Sequence, residues 1–326
     1  MRPLFENICT ALGLGRLTAE PRQLSGGYMH RMFAVTTGEG QYAVKLLNPE
    51  VMARPEAAGN YRRAEAFEAM LEQQGLPILP ALSIGGHKNH CVNGQYLYIF
   101  PYYDGRALQD GEITPAHCRR MGEALAHIHA TARQEAPECD TSAPIDWPAL
   151  TAALLHNEES RAWGARMHCA LPMLIRQTRR MALAAAQLPR SEALCHNDMD
   201  AKNVLWQGED FRIIDLECLG WGDPQQEMLD LAISWAGWPQ DEERFLAFVA
   251  GYRQAGGQIT ADADVLYDSR RNHLDWLAYN ARRALHDDPG ERRIGREQID
   301  ETLEKLESDR ENRRQILRWL EEVCRS

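Results

Sequence analysis

A chain of 326 residues that is 44% apolar and 25% charged can bury a substantial core, which excludes a disordered protein and favours two lobes or domains. Its net charge of −11, from 36 basic and 47 acidic side chains, argues against nucleic acid or an anionic membrane as the main partner and is compatible with a cationic one. No apolar run is long enough to span a membrane, and Glu6 stands where a secretory leader would be apolar, so the expectation is a cytoplasmic protein.

Residues 1–20 predict a short helix with Leu4, Ile8 and Leu12 on one face. Ser25-Gly26-Gly27-Tyr28 follows, then β-forming Met32–Val35, a turn at Thr37–Gly40, and an alternating strand over Gln41–Leu47. Glycines between strands let backbone N–H groups approach phosphate oxygens, which marks Gly26 and Gly27. Lys45 lies inside an otherwise apolar strand and needs an anionic partner if it points inward. A helix is expected over 60–74, carrying Glu65 and Glu68, and Tyr96–Phe100 reads as a strand that stops at Pro101. Thr114-Pro115 is a helix start, with Thr as N-cap and Pro in the first turn. His127 and His129 on that helix are two apart and do not share a face, so they are not a metal pair. Trp147 and Trp163, in an insert over 140–190, read as core. So do most of Trp221, Trp235, Trp238 and Trp276, although that set could present an aromatic face to a cation. The eight cysteines show no Cys-x-x-Cys pair and no metal spacing, as reduced thiols would.

The most informative stretch is Cys195–Glu217. Apolar runs at 204–206 and 211–214 flank Gln207-Gly208-Glu209-Asp210, a hairpin signal. Pairing Val204 with Ile214 and Leu205 with Ile213 would set Asn203 opposite Asp215 at the open end. An amide oxygen beside a carboxylate is a donor set that a hard cation such as Mg²⁺ prefers. Asp198, on the loop feeding the first strand, can face the same point and accept a proton from an attacking hydroxyl.

His196-x-Asp198 with Asn203 five residues on, followed by Ile214-Asp215, resembles the catalytic core of the aminoglycoside phosphotransferase/choline kinase family. The resemblance implies a bilobal α+β protein-kinase-like fold, with a β-rich N-lobe over 1–100 and a mostly helical C-lobe over 101–326. It implies a Mg²⁺-dependent kinase that moves the γ-phosphoryl group of ATP (or GTP) to a hydroxyl of a small molecule. Asp198 would be the catalytic base, and Asn203 and Asp215 the metal ligands. Lys45, steadied by Glu65 or, as runner-up, Glu68, would position the nucleotide phosphates. Pro101 to Tyr103 would be the hinge that receives the base, and His196 would brace the loop. His30 stands where the family usually has Asn. Glu217 resembles choline-kinase-type members and could serve metal, acceptor or structure. The short stretch after Asp215 leaves no room for a phosphorylatable activation segment, which weighs against a protein acceptor. A nucleotide-binding regulatory module without turnover is the alternative from another class.

Overall fold

The computed structural model describes residues 1–24, 30–135, 145–188, 191–270 and 272–325. Gly26 and Gly27 lie outside the described residues. The protein is α+β, with a sheet near the N-terminus and a mostly helical C-terminal part. In chain order the first elements are α1 (Arg2–Leu12), β1 (Arg22–Gln23), β2 (Arg31–Thr37), β3 (Gly40–Leu46), α2 (Pro49–Met52), α3 (Ala57–Gln73), β4 (His90–Val92) and β5 (Gln95–Pro101). Then come α4 (Pro115–Thr131), β6 (Arg133–Glu135), α5 (Trp147–His156), α6 (Arg161–Ala185), β7 (Ser191–Cys195), β8 (Val204–Gln207), β9 (Asp210–Ile213) and β10 (Gly220–Gly222). The chain closes with α7 (Pro224–Trp235), α8 (Glu242–Gln254), α9 (Ala263–Asp268), α10 (Asn272–Arg283) and α11 (Pro289–Arg325).

The chain divides into two compact units. The first comprises Met1–Ile113, His127–Ala132 and Ala193–Gly222; the second comprises Thr114–Ala126, Arg133–Glu192 and Asp223–Ser326. The segment 193–222 therefore groups with the N-terminal sheet. The reason is local hydrogen bonding. Ile213 donates to the Pro77 carbonyl and accepts from the Leu79 N–H, while Arg106 and Trp206 exchange two backbone bonds. These bonds fasten both edges of the β8–β9 ribbon to the first unit.

The first unit holds a five-stranded antiparallel sheet in the order β1-β2-β3-β5-β4. Alternation along β3 turns Val44 and Leu46 to one face and Ala43 and Lys45 to the other. On the first face they join Phe33, Val35, Leu97 and Ile99, and the Phe5 and Ile8 side chains of α1 close that layer. Each such large apolar side chain contributes about 1.5–3 kcal/mol on burial. The opposite face carries Tyr98 with Leu47, Tyr61 and Ala81. Because β3 is the central strand, Lys45 has no route to water along an edge and is 8% exposed.

In the second unit, one apolar cluster joins Trp147 and Leu154 of α5, Leu174 of α6, Leu277 and Ala281 of α10, and Ile299 and Leu303 of α11. Trp147 is core, as expected, and its indole N–H donates to Thr178. Where α4 crosses α8, a Cβ at Gly122 would run into the Phe248 carbonyl, so only glycine permits that approach. Six of the eight cysteines, at positions 9, 91, 118, 169, 195 and 218, form no disulfide. No helix among the described residues is long and apolar enough to cross a membrane.

The expectation that most of four tryptophans are core is corrected. Trp235 is buried, but Trp221, Trp238 and Trp276 are 36%, 59% and 41% exposed. On α10 the inward positions are Leu274, Leu277, Ala278 and Ala281, and Trp276 falls off that stripe. It stacks on Tyr279 instead. Trp221 of β10 stands edge-on to Phe67 of α3.

Candidate active site

The loop after β7 is fixed by its own polar side chains. β7 pairs with β10, Cys195 facing Gly220. His196 is fully buried, and its Nδ1 accepts from the Asp198 N–H at 3.3 Å, the bracing role expected of it. Asn197 takes a left-handed backbone, φ 64°, which asparagine tolerates better than most residues. Its amide donates to the Cys218 carbonyl at 2.8 Å, tying this loop to the turn after β9. A short 3₁₀ turn over Ala201–Asn203 then delivers the chain to β8.

Asp198 is fully engaged. The Asn203 amide nitrogen donates to its backbone carbonyl at 2.8 Å and to Oδ2 at 2.9 Å. Lys202 places Nζ 3.0 Å from Oδ1. Burial pushes the Asp198 carboxyl above its ordinary value, Lys202 pulls it down, and Asp200 and Asp215 add repulsion, with a net rise. For Lys202, burial works against the charge but Asp198 outweighs it, so the ammonium is held above its usual range.

The ribbon forms, but its register differs by one from the expected pairing. Val204 faces Ile213 and Leu205 faces Arg212, because a two-residue turn sets Gln207 opposite Asp210. Gly208 at φ 61° supplies the positive φ that such a turn needs at its first central position. Asn203 consequently exchanges backbone contact with Ile214, whose N–H donates to its carbonyl at 2.9 Å. Asp215 lies one residue beyond the pairing, in a left-handed conformation of φ 63° and ψ 51°. A non-glycine residue held there is strained by roughly 1–3 kcal/mol, a feature concentrated at functional sites.

Asp215 Oδ1 lies 2.6 Å from Lys45 Nζ, and Glu217 Oε2 lies 2.6 Å from the same nitrogen. Burial opposes the Lys45 charge, yet the two carboxylates dominate and hold the ammonium well above the usual lysine range. Burial alone would raise Glu217; the His30 hydrogen bond and the Lys45 charge reverse that and lower it from 4.5 to about 2. His30 Nε2 lies 3.4 Å from Glu217 Oε1 and 3.1 Å from the Tyr61 hydroxyl, while its Nδ1 accepts from the Asn48 N–H at 3.0 Å.

The expected Lys45–Glu65 pair is not formed, and neither is its runner-up. Glu65 accepts from the Tyr98 hydroxyl at 2.7 Å. Glu68 accepts from the Ala81 N–H at 3.1 Å and from Lys88 at 2.5 Å. Lys45 faces the 215–217 turn, so its carboxylates come from there. Pro101 ends β5, and the Tyr102 N–H is committed to the Gln41 carbonyl at 3.2 Å. The Tyr103 N–H makes no hydrogen bond among the described residues.

Four residues escaped the sequence reading as parts of this cluster. Lys202 sits four residues after Asp198, a spacing that offered a signal. His30 was visible only as a departure, and Asn197 and Tyr61 gave none. The donor chemistry suits a hard divalent ion. Asn203 spends its nitrogen on Asp198, leaving Oδ1 to coordinate, and Asp215 has Lys45 on one oxygen only.

Solved structures share this α+β fold. A spectinomycin phosphotransferase in complex with ADP and spectinomycin superposes with a TM-score of 0.70 at 14% identity, covering 91% of this chain and 93% of that one. A choline/ethanolamine kinase family protein from Mesorhizobium loti gives 0.61 at 17% identity, covering 94% of each chain. An amicoumacin kinase in complex with AMP-PNP and Ca²⁺ gives 0.58 at 14% identity, over 87% of this chain and 88% of that one. No curated protein sequence matches the chain. The profile of the Phosphotransferase enzyme family matches residues 20–268, and the chain belongs to that family. It is therefore a phosphotransferase.

Proposed function

We propose that the protein transfers the γ-phosphoryl group of ATP (or GTP) to a hydroxyl of a small molecule, with Mg²⁺ as cofactor. The observation that carries this reading is the gathering of Lys45, Asp198, Asn203 and Asp215 within one compact unit. Asp198 accepts the hydroxyl proton as the acceptor oxygen bonds to the γ-phosphorus and the bond to the leaving diphosphate breaks. Its Oδ1 is released when the 64% exposed Lys202 side chain swings aside; Oδ2 stays on Asn203 and fixes the carboxylate plane. Lys45 holds the α- and β-phosphates, and the Tyr103 N–H receives the base. Asn203 Oδ1 and Asp215 would hold Mg²⁺, which neutralises phosphate charge when bound. Fixing these groups in advance supplies most of the acceleration in phosphoryl transfer.

Neighbours of the fold were solved with ADP or AMP-PNP, one of them with Ca²⁺, and this supports nucleotide and divalent-ion binding here. The acceptor is a small molecule of the amine-bearing alcohol kind, to which the net charge of −11 is suited. Only residues 216–223 separate Asp215 from α7, which leaves no activation segment for a protein acceptor. Free thiols fit a cytoplasmic location.

The test is nucleotide consumption by the full chain with Mg²⁺ across a panel of aminoglycosides, choline, ethanolamine and other amino alcohols. Acceptor-dependent release of the nucleoside diphosphate is expected. Nucleotide binding without consumption by any member would instead make the chain a regulatory module.

A further inference from the structure

We propose that Glu217, held by His30, which Tyr61 contacts in turn, is the residue that anchors Lys45, in place of the α3 carboxylates. This rests on the reading that Lys45 positions the nucleotide phosphates.

Three observations carry it. First, Glu217 already grips Lys45, at 2.6 Å, from a side chain that is only 22% exposed. Second, both α3 carboxylates are committed elsewhere. Tyr98 faces Lys45 across β3 and β5, and its hydroxyl takes Glu65; Lys88 and the Ala81 N–H take Glu68. Third, Glu217 is itself backed by a buried chain of contacts. The Asn48 N–H donates to His30 Nδ1, which places the ring proton on Nε2. Nε2 lies 3.4 Å from Glu217 Oε1 and 3.1 Å from the Tyr61 oxygen. His30 is 6% exposed and Tyr61 8% exposed, so the ring cannot swing away without opening the sheet face.

The two carboxylates on Lys45 have different work to do. Asp215 is a metal ligand in the proposed function, so its oxygens are shared. Glu217 has a dedicated brace and can keep Lys45 extended whichever way Asp215 turns. Tyr61 lies one helical turn before Glu65 on α3. The helix therefore still steadies the lysine, through Tyr61 and His30 rather than through its own carboxylate. His30 is thus a positioning residue.

Calorimetric titration of the full chain with Mg²⁺ and AMP-PNP tests this, or with GMP-PNP if the wild type prefers it. The bare nucleoside serves as control. Glu217→Gln is expected to weaken the triphosphate analogue about tenfold and leave the nucleoside unchanged. Glu65→Gln should stay within about twofold. His30→Ala should weaken the analogue about three- to fivefold, with His30→Gln recovering part of it through its amide donor. In a Lys45→Met background, Glu217→Gln should cost nothing further, since it acts through the lysine. Equal or larger losses for Glu65→Gln would overturn the proposal. So would a Glu217→Gln loss that persists without Lys45, which would make Glu217 an independent ligand of metal or phosphate. If Lys45→Met alone leaves analogue affinity unchanged, the underlying reading of Lys45 fails as well. That result is separable from the other two.

Discussion

Two regions were expected to serve the nucleotide in different ways: the segment Cys195–Glu217, through the metal ligands Asn203 and Asp215 and the base Asp198, and helix α3, through a carboxylate on Lys45. The first brings its acidic and amide groups to one point, with Asp215 and Glu217 on the lysine and Asn203 on Asp198. The second forms as a helix over Ala57–Gln73 but sends Glu65 to Tyr98 and Glu68 to Lys88. The contrast separates two kinds of geometry. Within a short loop and ribbon, chain connectivity alone keeps polar groups near one another. For a helix, propensity decides that it forms, while the direction of each carboxylate depends on distant partners such as Tyr98 and Lys88.

The largest expected effect breaks the first region at its base. Asp198→Ala should lower kcat by about 10³-fold or more, with nucleotide affinity within a few-fold, since the carboxylate acts on the hydroxyl. Steady-state kinetics beside calorimetry reads both. Retained turnover would remove Asp198 from the chemistry. Asp215→Ala should act differently, weakening Mg²⁺-nucleotide binding itself by about 100-fold. An unchanged titration would take Asp215 out of the metal site.

Helix α3 should answer in stability instead. Glu68→Gln leaves the Lys88 ammonium, 15% exposed, without its main counter-charge. A loss of about 1–3 kcal/mol is expected in urea unfolding, with nucleotide affinity preserved. A loss of nucleotide affinity with stability intact would return the carboxylate to the site.

Acid titration sharpens the comparison further. The folded Glu217 value is depressed, from 4.5 to about 2. Its contribution to stability is therefore complete above 4.5 and lost as pH falls toward 2, because the unfolded chain takes up the proton first. Replacing Glu217 with Gln should flatten the fall in stability across that window. An unchanged acid limb would mean that its interactions with Lys45 and His30 contribute nothing to folding.

How much was legible follows from the same division. Asp198, Asn203 and Asp215 could be singled out because their spacing is set by a loop and one tight turn. Even there the register slipped by one: Gln207-Gly208-Glu209-Asp210 contains turn formers throughout, and sequence alone does not choose a two-residue loop over a three-residue one. The left-handed backbone at Asp215 lay beyond a strand-pairing argument. The His30–Glu217 contact joins segments far apart in the chain, so only the folded sheet reveals it. The Trp276 error has a similar root, since one helix face looks much like another until its neighbours are known.

The smallest expected effect is the most discriminating. Tyr98→Phe removes the hydroxyl that Glu65 accepts and leaves the ring in its layer with Tyr61 and Phe100. Burial first, and then the bond to Glu65, hold that phenol protonated far above its ordinary value, so the hydroxyl is a committed donor. Its loss should cost about 0.5–1.5 kcal/mol of stability, the net worth of one such bond. Glu65 is then released beside β3 with no partner of its own. If Lys45 is already satisfied by Asp215 and Glu217, the freed carboxylate has nothing to gain there, and nucleotide affinity should change by less than about twofold. A clear rise or fall in affinity would show that Tyr98 is what keeps Glu65 from the lysine, and that the two carboxylate sources compete rather than divide the work.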